Sequence, residues 1–106
     1  MLLIKKRFFD DIRSGRKTTT LRYWSRCRVR ANSVHTVPGL GAVRIDAAGP
    51  VEPDELTDED ARADGFAGLR DLAEALDELY PLDQRDGRRL FLVRFTYLPA
   101  GRGARD

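Results

Sequence analysis

The sequence predicts an α+β domain whose several β segments, flanked by short helices, allow a small mixed β-barrel. Three observations carry that expectation. A short amphipathic stretch leads into a run of three threonines; two alternating apolar segments flank Pro38-Gly39; and two helix-type patterns separate these from a last alternating segment at Leu90 to Tyr97. Several β segments with few helices allow a small barrel, in which closure removes exposed strand edges.

Ile4, Phe8 and Ile12 recur at four-residue spacing with Lys5, Lys6, Asp10, Asp11 and Arg13 between them, and Gly15 closes the pattern as a helix end. Phe8 and Ile12 are then core residues. Thr18, Thr19 and Thr20 are β-branched and favour an extended strand, in which Thr18, Thr20 and Arg22 project to one face. Lys17 nominally points the other way, although a bulge or turn beside Gly15 and a flexible stem can bring its ammonium round to Thr20. From Ser25 to Ser33 the chain holds Arg26, Arg28 and Arg30 with Val29 as its one large apolar residue, which reads as a loop or irregular strand. These arginines either contact phosphates or stand solvated.

Ser33 to Val37 alternates as a strand, Pro38-Gly39 turns, and Gly41 to Asp46 alternates again with Val43 and Ile45 inward, giving a hairpin or a barrel corner. Gly39-x-Gly41 has no following helix, so it lacks a dinucleotide-binding context. His35 is a base, a stacking side chain or a structural residue. Gly49 to Pro53 reads as a stiff connector. Thr57 then caps a helix with Asp60 at its third position, the acids at 58 to 60 suit the positive end of the helix dipole, and Asp64-Gly65-Phe66 stops it. A second helix runs from about Gly68, with Leu69, Leu72, Ala73, Leu76 and Leu79 in one apolar stripe and Asp71, Glu74, Asp77 and Glu78 facing water. Pro81 ends it, Asp86-Gly87 turns, and Leu90 to Tyr97 is the last strand with Phe91, Val93, Phe95 and Tyr97 on one face. The tail lacks apolar anchors, so the domain is expected over 1–98 and a frayed end over 99–106.

At 106 residues the chain is one domain, long enough to bury a core without disulfides or metal. No stretch approaches the roughly 18 uninterrupted apolar residues of a membrane span, and Met-Leu-Leu-Ile runs straight into Lys-Lys-Arg, so neither a membrane partner nor a signal peptide is expected and the default compartment is the cytoplasm. Cys27 is the one cysteine and His35 the one histidine, which excludes an internal disulfide and a Cys/His zinc site. Cys27 has no candidate base beside it for a thiol mechanism, and no cofactor is expected. The net charge of +2 conceals a division: from Lys5 to Arg30 ten Lys/Arg face two acids, whereas from Asp46 to Glu78 twelve Asp/Glu face two arginines. Such a split is suited to one electropositive face that meets phosphate, and a GC-rich genome accounts for part of the arginine.

The chemistry concentrates in Ser14-Gly15-Arg16-Lys17-Thr18-Thr19-Thr20-Leu21-Arg22-Tyr23-Trp24, where a hydroxyl flanked by two cations becomes available to an anionic or polar ligand. Tyr23 and Trp24 are candidates to stack on exposed bases, worth about 1 to 3 kcal/mol each, with core packing the other reading for both and the more natural one for Trp24.

Across most of its length the chain resembles the ASCH domain family, small PUA-like β-barrels associated with RNA. The resemblance rests on Phe9-x-x-Ile12-x-x-Gly15-x-Lys17-Thr18-x-Thr20-x-Arg22, on Gly41-x-Val43-x-Ile45, on Leu56-Thr57 through Ala63-Asp64-Gly65-Phe66, on Leu79-Tyr80-Pro81 and on Phe95. It implies a PUA-like barrel with a cleft where Lys17, Thr20 and Arg22 meet the acidic loop at Asp64. Family members divide between RNA-binding or RNA-processing modules and amidohydrolases that deacylate N4-acetylcytidine. In the second branch the resemblance makes Lys17 the proton acceptor and Thr20 the nucleophile, with the family glutamate falling on Asp64, one methylene shorter. The favoured expectation is binding of single-stranded RNA or a nucleotide through Lys17, Arg22, Tyr23, Arg26 and Arg28, since gripping phosphate requires no perturbed pKa and tolerates aspartate at position 64. The amidohydrolase acting on a modified nucleoside is the alternative. An adaptor docking through Asp71, Glu74 and Glu78 is the third.

Overall fold

The N-terminal helix is half as regular as its spacing implies. In the computed structural model, which describes residues 2–99, a 3-10 turn at Lys6–Phe8 runs directly into α1, Phe9–Arg13, and Gly15 at φ +84° ends it. A 3-10 turn has three residues per turn, so the four-residue spacing drifts. Phe9 therefore takes the buried seat expected of Phe8, which is only half-buried, while Ile12 is buried as expected.

The strands are β1 Thr19–Trp24, β2 Val34–Val37, β3 Gly41–Pro50 and β4 Arg89–Pro99, and the helices after β3 are α2 Asp58–Ala63 and α3 Leu69–Leu79. The sheet runs β1-β4-β3-β2, antiparallel throughout. It is not closed. The expected barrel is corrected to an open four-stranded sheet, because β1 and β2 lie at opposite edges and the segment between them buries Val29 in the core instead of pairing. Both faces of the sheet are clothed: Phe9 and Ile12 of α1 pack with Val43, Ile45, Val93 and Phe95 on one side, and Ala61 of α2 with Leu72 and Leu76 of α3 cover Leu21, Tyr23 and Leu90 on the other. A two-sided sheet buries its apolar residues without curling, which is why β4 reads as an almost continuous apolar run.

β3 continues through Pro50, where the composition read as a connector from Gly49. A bulge at Asp46 shifts its pairing with β4 from Ile45–Phe95 to Ala47–Arg94. The proline is tolerated because Val51 N–H donates to Leu90 O, a phase that turns the backbone nitrogen of Pro50 away from β4 toward a side with no strand. Of the tail expected over 99–106, Pro99 ends β4 and the remaining positions lie outside the described residues.

α2 begins as its sequence dictates. Thr57 Oγ1 accepts from Asp60 N–H at 3.2 Å, and the Asp60 carboxylate accepts from Thr57 N–H at 2.9 Å. Thr57→Ala removes the cap and is expected to lower stability by about 1 kcal/mol, read as a lower urea midpoint at unchanged m. The acidic side chains Asp71, Glu74, Asp77 and Glu78 of α3 are exposed, Leu72 and Leu76 are buried, and Leu69 and Leu79 at its two ends stay 37% exposed.

Candidate functional site

β1 is an edge strand, and its hydrogen-bond phase decides what that edge presents. Phe95 N–H donates to Thr18 O, which continues through the register so that Thr20 and Arg22 direct their backbone groups at β4. Thr19, Leu21 and Tyr23 then turn theirs to the open edge. Along that edge the two packed layers part: Ile4 and Phe8 belong to one face, Leu76 and Tyr80 to the other, and between them lies a partly enclosed slot of about 120 Å³. Its walls are largely apolar, its floor is the edge of β1 at Leu21, and its lining includes the polar side chains of Lys5, Lys17, Thr20, Arg22, Asp64 and Tyr80. Phe8 and Phe66, edge to face at 6.2 Å between centroids, meet beside the buried polar end.

Asp64 reaches the slot because the end of α2 is tied to the mouth of β1. Thr18 N–H donates to Ala63 O at 2.8 Å and Lys17 forms a bridge with Asp64. Gly65 follows at φ +96°, a left-handed turn that favours glycine. Lys17 Nζ donates to Asp64 O at 2.8 Å, stands 3.3 Å from Asp64 Oδ1, and lies over the Phe8 ring at 4.7 Å. Thr19 Oγ1 donates to the same Oδ1 at 3.1 Å. Thr20 Oγ1 instead accepts from Arg22 Nε at 3.0 Å, while Arg22 Nη2 donates to Leu3 O. Asp64 Oδ2 receives no hydrogen bond from the described residues, and since none of their buried side-chain polar atoms lacks a partner, that oxygen keeps some exposed surface on a residue that lines the slot.

Lys17 and Asp64 are each 4% exposed, and burial acts on both. It pushes the Lys17 ammonium below its ordinary value, opposed by the charge and hydrogen bond of Asp64 and helped by Arg22. It pushes the Asp64 carboxyl up, against the pull of Lys17 and Thr19. The pair is drawn toward neutrality from both sides.

The structure thus brings Lys17, Thr20, Asp64 and Arg22 to one slot, with the hydroxyl on Asp64 supplied by Thr19. Tyr23, a stacking candidate, is 7% exposed; its ring meets that of Tyr80 edge to face at 5.4 Å between centroids and lies under Arg85. Trp24, read as the more natural core residue, is the half-buried one and tilts against Phe91 at 5.7 Å. Arg28 lines a shallow shelf beside the slot; Arg26 lines neither, though it is exposed in the same loop. His35 sits on β2 at the far edge of the sheet with Nε2 3.0 Å from Ser33 Oγ. No cluster of three or more His, Cys, Asp or Glu able to hold a metal occurs among the described residues, and none of their helices is long and apolar enough to cross a membrane.

The open antiparallel sheet with its few helices defines a small α+β class, and solved structures share that fold. The hypothetical protein PH0355 superposes with a TM-score of 0.75 at 11% identity, over 91% of this chain and 95% of that one. An ASCH domain from Lactobacillus crispatus gives 0.72 at 13%, over 84% and 69%, and protein EF3133 from Enterococcus faecalis, described as family-model DUF984, gives 0.65 at 16%, over 88% and 71%. The chain has an ASCH-like fold. No family model matches its sequence, and no curated protein does.

Proposed function

We propose that this domain binds RNA by taking one unpaired nucleobase of a single strand into the slot at the open edge of β1. The observation that carries the reading is the slot's construction: two apolar walls with a strand edge and a free carboxylate oxygen between them. A flat heterocycle entering edge-first buries both faces against the walls and meets hydrogen-bonding groups along its rim. The Leu21 N–H and C=O offer a donor and an acceptor, Asp64 Oδ2 a second acceptor, and the O–H of Thr20 a second donor. A base stacked inside a duplex cannot enter.

Two contacts favour binding over deacylation. A threonine nucleophile needs a base on its hydroxyl proton, yet Thr20 Oγ1 is held by Arg22, and the Lys17 ammonium is turned to Asp64. Incubation with N4-acetylcytidine is accordingly expected to release no cytidine, and turnover lost in Thr20→Ala would reverse that choice.

The test is anisotropy titration of a short labelled single-stranded RNA against its own duplex. The single strand is expected to bind more tightly, with affinity falling as salt rises. Ala75→Phe places a ring into the slot from a half-buried helical position. It should weaken single-strand binding by about tenfold or more while leaving the urea midpoint nearly unchanged. Equal binding of the duplex, or an Ala75→Phe protein that binds like wild type, would refute the slot as the seat.

A further inference from the structure

The mouth of the slot does not end at Arg22. A shallow shelf continues from it, sharing Leu3, Arg22 and Tyr80, and adds Tyr23, Trp24, Ser25, Arg28 and Arg88. Three arginines line this shelf and no carboxylate does. Arg13, Arg16, Arg44 and Arg85 each sit against an aspartate, whereas the three arginines of the shelf share one concavity with no acid among its lining residues. Arg28 and Arg88 are exposed and have no ion pair or side-chain hydrogen bond among the described residues, and Arg22 keeps Nη1 without a protein acceptor there. Arginines that line one concavity without a counter-charge suit a polyanionic oxygen cluster.

Taking the nucleobase reading as its premise, we infer that the shelf formed by Arg22, Arg28 and Arg88 seats the phosphate of the nucleotide whose base fills the slot. The ligand is then a phosphorylated nucleotide within a strand, and a free nucleoside uses only half of the site. Arg22 spans both halves: Nε and Nη2 are fixed by Thr20 and Leu3, which holds the guanidinium plane at the boundary between base and phosphate. Trp24 and Tyr80 give the sugar an apolar surface at the same boundary.

Calorimetric titration with cytidine and adenosine, and with their 5′- and 3′-monophosphates, tests this at fixed ionic strength. At least one monophosphate should bind about tenfold more tightly than its nucleoside. Arg28→Gln and Arg88→Gln should each shrink that advantage, and Arg88→Glu should bring it to unity or below, with urea midpoints near wild type because both side chains are exposed. Nucleosides that bind while neither monophosphate gains, or variants that keep the full advantage, would overturn the phosphate seat and leave the base slot standing. Failure of every nucleoside and nucleotide to bind, with Ala75→Phe inert toward RNA, would overturn both.

Discussion

Asp64→Ala is expected to lower stability at neutral pH by about 3 to 5 kcal/mol, because it leaves the buried Lys17 ammonium without its carboxylate. The double variant Lys17→Met with Asp64→Asn should fall within about 1 to 2 kcal/mol of wild type, since it removes both desolvated charges and keeps an acceptor for Thr19. The two single variants have opposite pH signatures. In Lys17→Met the carboxyl is buried and raised, so its favourable contribution is complete below the ordinary 3.8 and is lost as pH rises through the folded value; the deficit shrinks in acid. In Asp64→Ala the ammonium is lowered, so its contribution is complete above the ordinary 10.5 and is lost as pH falls through the folded value; the deficit shrinks in base. Urea unfolding of the four proteins across pH measures all of this. A neutral-pH Asp64→Ala midpoint equal to that of wild type would mean the charges are already solvated.

What was legible in the chain is what is decided within a few residues. The Thr57–Asp60 box, the stripe of Leu72 and Leu76, the positive-φ stops at Gly15 and Gly65, and the alternation of Phe91, Val93 and Phe95 each depend on neighbours close in sequence, and each appears as expected. Barrel closure depends on which strands meet across the whole molecule. Nothing local in β1 or β2 states that they end as opposite edges. The Phe8 and Phe9 exchange is a subtler miss, arising because a short turn tightened to 3-10 geometry shifts which aromatic points inward.

Within the site, strand parity was the more reliable guide. Lys17, Thr19, Leu21 and Tyr23 alternate together; the first two meet Asp64 and the last two enter the core under α3. That one rule accounts for the Lys17 ammonium turning to Asp64 instead of coming round to Thr20, and for the burial of Tyr23. The partner on the other side, Asp64, was named by the family resemblance and by no local pattern. Position 64 lies 47 residues from Lys17, and only the tie between Ala63 and Thr18 brings it to the strand. The slot itself is a gap between layers, a property of packing that no single residue announces.

Oligo(A) and oligo(C) are expected to bind more tightly than oligo(U) by about tenfold, because Asp64 Oδ2 accepts from an exocyclic amine and faces the O4 acceptor of uracil with a second acceptor. Asp64→Asn should invert the preference. Thr19 donates to Oδ1 and Lys17 Nζ stands beside it, so an asparagine at this position is pinned with its amide oxygen at Oδ1 and its NH₂ where Oδ2 was. A donor then replaces the acceptor that faces the ligand. Uracil gains a partner, and adenine and cytosine meet a donor with a donor. The substitution also withdraws the counter-charge of Lys17, so affinities belong beside a circular-dichroism measure of the folded fraction, and the ratio between oligomers is the quantity to read. Equal affinity of the three oligomers for wild type, or an Asp64→Asn protein that still prefers the amino-bearing bases, would show that this carboxylate holds the end of α2 to β1 without reading a base.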